Sequence, residues 1–113
     1  MNESLNNSDD HQRTYAPNTI GRAEFVDSVR RMAGEVWDFH NRFKIGSGQF
    51  QDQGATEIVA NRTSILDEEI AELAQAIAEN EGDEAVADEN ADVLFVAMGH
   101  AEAMGSYGIE GLD

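Results

Sequence analysis

Cysteine is absent from this 113-residue chain. Disulfides, thiolate nucleophiles and Cys-ligated zinc or iron–sulfur centres are thereby excluded. Long apolar runs are also missing: the longest, Val93 to Met98, falls far short of a membrane span, and the N-terminus lacks a basic-then-apolar signal pattern. The expectation is a soluble, unexported, cytoplasmic protein with no membrane partner. Basic residues are few, and none occurs from Thr63 to Asp113, where 14 acids stand. All 7 Lys and Arg residues lie between Met1 and Arg62, beside 9 acids. A formal charge of −16 without a basic stripe argues against a surface for DNA or RNA.

Residues 1–20 hold the only proline, Pro17, and many Asn, Asp and Ser, with too few large apolar side chains for a packed element. They read as a flexible N-terminal arm, leaving 21–113 as one domain. From Arg22 the pattern changes: Phe25, Val29, Met32, Val36, Phe39 and Phe43 recur at steps of four and three, a helical seam over about 22–44. A Gly- and Gln-rich loop follows. A second helix is expected from 55–57 to Asn80, its apolar face formed by Val59, Leu66, Ile70, Leu73 and Ile77. Asn80, Glu81 and Gly82 break the chain, Asp83 is a favoured N-cap, and a third helix runs to about Gly105.

The fold class is therefore all-α: an antiparallel hairpin with a packed first helix, making a four-helix-bundle-type core. The centre of the third helix is apolar on nearly every face, which predicts neighbours from another copy and a homodimer or homotetramer.

The acids have an order of their own. Glu69 and Glu72 are three apart and share a helix face, as do Glu89 and Asp92. Counted from Glu81, Glu72 lies nine residues back and Glu89 eight forward; Glu69 lies twelve back and Asp92 eleven forward. An antiparallel hairpin brings the two pairs level. Four hard oxygen ligands without His or Cys favour Mg²⁺, with Mn²⁺ as a substitute, over zinc. The plainer alternative is a solvated acidic surface, in which the carboxylates repel one another. A di-iron bundle would show E-x-x-H pairs, and none exists: Trp37 and Ala97 precede His40 and His100 by three.

The segment Leu66-Asp67-Glu68-Glu69-Ile70-Ala71-Glu72-Leu73, followed by Glu89-Asn90-Ala91-Asp92-Val93-Leu94-Phe95, resembles the MazG-like all-α nucleoside triphosphate pyrophosphohydrolases. Their signature is E-E-x-x-E-L and then E-x-x-D-[VL]-L. Val36 to Phe43 is similar to the F-H-x-x-F end of the first helix in a bacterial and phage subgroup, so the resemblance spans roughly 22–105. It implies that Glu69, Glu72, Glu89 and Asp92 bind Mg²⁺, which holds a nucleoside triphosphate while water attacks the α-phosphorus. Monophosphate and pyrophosphate leave. Many relatives continue into another helix with basic and Asn residues for the phosphates, and that segment has no counterpart here.

Other residues carry paired readings. Glu68 adjoins the metal pair and is a catalytic candidate for orienting or deprotonating the water, or else a solvated Glu. Arg62, two turns before Glu69, can reach a β- or γ-phosphate or form an ordinary ion pair. Lys44 can serve likewise or simply favour a helix C-terminus. Trp37 and His40, one turn apart, offer a face for a base, although the seam places Trp37 in the core.

Two functions remain open at this point. One is pyrophosphohydrolysis of nucleoside triphosphates, of deoxynucleotides in pool cleaning, or of phosphoribosyl-ATP within the same superfamily. The other is an acidic interaction protein, a DNA mimic or antitoxin-like partner.

Overall fold

The computed structural model describes residues 16–47 and 54–112, and most of the predicted arm lies outside them. Three helices follow in order: α1 (Arg22–Phe43), α2 (Ala55–Ala78) and α3 (Asp83–Gly105). Among the described residues there is no strand. The all-α class and the helix bounds agree with the periodicity of the sequence.

Both α1 and α2 open the same way. A glycine sits at the N-cap, and the carboxylate three residues on accepts its backbone N–H: Gly21 to Glu24 at 3.3 Å and Gly54 to Glu57 at 3.4 Å. These acids also face the positive end of the helix.

The hairpin turn is equally local in origin. Past Ala78, Asn80 adopts φ 57°, and the N–H groups of Asn80 and Glu81 donate to the carbonyls of Ile77 and Ala76 at 3.2 and 3.1 Å. This is a Schellman closure, and it satisfies carbonyls that the helix leaves open. Gly82 then takes φ 107°, a conformation L side chains rarely adopt, and Gly82 rather than Asp83 is the N-cap of α3. Asp83 is the first helical residue, where its charge still favours the helix N-terminus.

Helices α2 and α3 pack along each other, whereas α1 packs on α3 and not on α2. Among the described residues the buried apolar set is small: Val36, Ala55, Ile58, Ala76 and Ala103. Much of the predicted apolar face is left outside. Phe25, Ile70, Ile77 and Leu94 are exposed, Ile77 by 60% and Leu94 by 50%. The described residues supply three helices of a bundle, and the apolar stripes that a further helix would cover stay open among them.

Candidate active site

Three of the four acids that the spacing sets level converge. One carboxylate oxygen each from Glu69 on α2 and from Glu89 and Asp92 on α3 lie within 4.8 Å of one another. Glu69 and Glu89 are half-buried and Asp92 is exposed. Glu72, exposed, stands outside that trio, near enough for its charge to act on Glu69.

Crowding shows in the protonation equilibria. Glu69 is raised above the usual carboxylate range by partial burial first, then by the charges of Glu72, Asp92 and Glu89. Glu89 is raised by partial burial, then by Glu72, Asp92, Glu81 and Asp88. No Arg or Lys among the described residues pairs with any of these four acids. Convergent carboxylates lacking a protein counter-charge are a donor set suited to a hard divalent cation.

The remaining candidates are placed as follows. Glu68 is exposed and outside the trio. Arg62 is half-buried, forms no ion pair with a described residue, and precedes Glu69 by two turns of α2, roughly 10 Å. Trp37, His40 and Lys44 line one cavity of about 450 Å³ with Asn41, Ile45, Ser47, Glu102 and Ser106.

The tie that forms this cavity was not legible beforehand. His40 is 3% exposed, and its Nδ1 lies 2.5 Å from Glu102 Oε1. Trp37, which the seam places in the core, is instead 62% exposed. Lys44 closes α1 in the left-handed conformation, at φ 55°. On α3 the cavity begins at Glu102, ten residues past Asp92, or about 15 Å along the axis. The acids and this cavity are therefore separate stations. Asp92, Phe95, Gly99 and Glu102, at steps of three and four, form one stripe of α3 that joins them and leads to Ser106 at its C-cap.

Sequence reasoning did not identify Gly99 and Glu102. A glycine inside a helix, three residues before an acid on the same face, was the available signal of a close approach.

A family model described as phosphoribosyl-ATP pyrophosphohydrolase matches residues 36–106, which contain the four acids, the Trp37–His40 segment and the whole hairpin. The chain belongs to that family. It is thereby a pyrophosphohydrolase of the MazG-like all-α superfamily, a hydrolase of phosphoanhydride bonds in nucleotide-like substrates. Members typically use a divalent metal, and the Glu69–Glu89–Asp92 trio is where this pyrophosphohydrolase can hold one. No curated protein and no solved structure matches the chain. Among the described residues no helix is long and apolar enough to cross a membrane.

Proposed function

We propose that this protein hydrolyses the α–β phosphoanhydride of a nucleoside triphosphate, a deoxynucleoside triphosphate in pool cleaning, with Mg²⁺ held by Glu69, Glu89 and Asp92 and supported by Glu72. The single observation carrying this reading is the convergence of three carboxylate oxygens within 4.8 Å across the hairpin. The bound cation would neutralise charge on the triphosphate oxygens. Water adds to the α-phosphorus as the bond to the α–β bridging oxygen breaks, giving monophosphate and pyrophosphate. Glu68, beside the ligand pair, orients that water and takes its proton. Arg62, two turns away on α2 and with no ion-pair partner among the described residues, meets the β- or γ-phosphate.

The exposed Phe25, Ile70, Ile77 and Leu94 support assembly as a homodimer or homotetramer, in which a second copy covers them. That cover adds to the few apolar side chains buried among the described residues.

The family match favours phosphoribosyl-ATP as a second substrate reading. The same bond would break, yielding phosphoribosyl-AMP and pyrophosphate. A panel of the deoxynucleoside and nucleoside triphosphates with phosphoribosyl-ATP, assayed with Mg²⁺ and product analysis, separates the two. Preference for one or more deoxynucleotides supports pool cleaning; turnover of phosphoribosyl-ATP alone replaces that substrate with the second. An acidic mimic would turn over nothing and show no thermal response to Mg²⁺.

A further inference from the structure

Past α3 the chain folds back on the hairpin. Gly108 takes φ 80°, the N–H of Ile109 donates to the carbonyl of Met104 at 3.1 Å, and a β-carbon at Gly111 would stand 4.0 Å from that of Ala101. This returning segment, α1 and the last turns of α3 enclose a second cavity, of about 340 Å³. Val36, Trp37, Met98 and Ile109 give it apolar walls, and Ala33, Ala101 and Gly105 leave room by being small. Its volume lies in the lower part of the range of small-molecule pockets, roughly 300–1,000 Å³. On α1, Trp37 comes twelve residues after Phe25 and six before Phe43, about 120° around the helix from both. The cavity therefore opens on a different edge of α1 from those rings.

Its charges are all of one sign. Glu102 and Glu110 are the ionisable side chains of the lining, and no Lys, Arg or His joins them. Neither carboxylate pairs with a Lys or Arg among the described residues. The final turn of α3 also lines the cavity and brings the negative end of that helix to it, without the basic residues, His40 and Arg42, that close α1. Trp37 is exposed here, and an indole face is the side-chain surface that cations stack on best. Lys44 lines the neighbouring Trp37–His40 cavity and not this one.

We propose that this cavity binds a small organic ammonium ion with a short apolar body. The body lies against Val36, Met98 and Ile109, and the cationic nitrogen meets the Trp37 indole and the Glu110 carboxylate, while Glu102 adds its charge and keeps its tie to His40. An anion would face two carboxylates and a helix C-terminus. A neutral apolar ligand would take those carboxylates out of water without a counter-charge. A second copy of the chain is a poorer occupant, because Phe25, Ile70, Ile77 and Leu94, the exposed residues that a second copy covers, do not line the cavity. The site is independent of the acid trio, from which Glu102 lies about 15 Å along α3.

Trp37 is the one tryptophan of the chain, so its fluorescence reports on the cavity directly. The probes are hexylamine, protonated at neutral pH, and hexan-1-ol, which match in length and apolar body and differ in charge. Hexylammonium should change the Trp37 emission saturably and bind about tenfold more tightly than hexanol. Glu110→Gln removes a charge but keeps an oxygen for the Leu112 N–H, which donates to Glu110 Oε1 at 2.7 Å. In that variant the advantage of the amine over the alcohol should fall severalfold, with the circular dichroism unchanged. Ala33→Leu fills the cavity from an exposed position on α1 and should weaken both probes. Equal affinity for amine and alcohol, or a response that does not saturate, overturns the proposal. So does an amine affinity unchanged in both variants, because a general attraction of cations to a chain of charge −16 would survive either substitution. If hexylammonium fails to bind wild type and Ala33→Leu shifts the sedimentation coefficient, the proposal falls and the cavity belongs to a second copy.

Discussion

Gly99 on α3 lies directly under the imidazole of His40 on α1: a β-carbon at position 99 would stand 2.9 Å from His40 Nε2 and 3.2 Å from Cε1. The ring cannot simply retreat, because Nδ1 on its other side is tied to Glu102 at 2.5 Å. This contact joins α1 to the hairpin. Gly99→Ala should therefore lower stability by about 1–3 kcal/mol, the usual cost of forcing extra volume into a packed contact. Gly105, where nothing lies within 4 Å, is the control, and Gly105→Ala should be neutral or slightly stabilising. Thermal denaturation followed by circular dichroism distinguishes the two.

Removing the other side of the same clamp gives a different signature. Glu102→Ala leaves the buried His40 Nδ1 without its acceptor, and an unsatisfied buried polar group costs about 1–3 kcal/mol. Glu102→Gln keeps an acceptor oxygen and should recover most of the loss. Equal melting of the two variants would mean that the contact contributes through packing alone.

The four acids should not be equivalent. Glu69, Glu89 and Asp92 converge, whereas Glu72 stands outside the trio and acts on it through its charge beside Glu69. Glu72→Gln is expected to weaken Mg²⁺ by about 10–100-fold, as loss of an outer partner does, and Asp92→Asn to abolish measurable binding. The same substitutions relieve repulsion in metal-free protein. Glu89→Gln should therefore melt higher than wild type in EDTA and lower than wild type in saturating Mg²⁺, a reversal that a solvated acidic patch would not produce.

The pH dependence follows from the direction of the two shifts. Glu69 and Glu89 take up protons more readily when folded than when unfolded, their folded values lying above the ordinary 4.5. Between the unfolded and the folded values the native state binds more protons, so unfolding free energy falls as pH rises. Their contribution is complete below the unfolded value and lost as pH climbs through the folded one. Metal-free protein should thus gain stability on acidification from neutral pH toward about 5, and Glu69→Gln with Glu89→Gln should flatten part of that slope. Denaturant titrations in EDTA at several pH values measure it.

Much of the fold was legible because it is local. Steps of three and four gave the helices, and the nearly equal distances of the acid pairs from Glu81 placed them level. What escaped was set by the crossing of α1 over α3. The seam from Phe25 to Phe43 marks an apolar face without saying how much of it this chain alone can cover, so Trp37 and Phe43 are exposed and His40 is enclosed. His40 went inside because Gly99 offers it a place without a side chain and Glu102 supplies the acceptor. Neither condition is visible from α1 by itself. Likewise Asp83 lost the N-cap position to Gly82, whose φ of 107° the turn demands.

The most direct test of the central claim is product analysis by ion-exchange chromatography of a deoxynucleoside triphosphate incubated with the protein, with Mg²⁺ and with EDTA. The expected result is equimolar monophosphate and pyrophosphate in Mg²⁺ only, with the activity lost in Asp92→Asn. Orthophosphate and diphosphate as products, or full activity in EDTA, would contradict it.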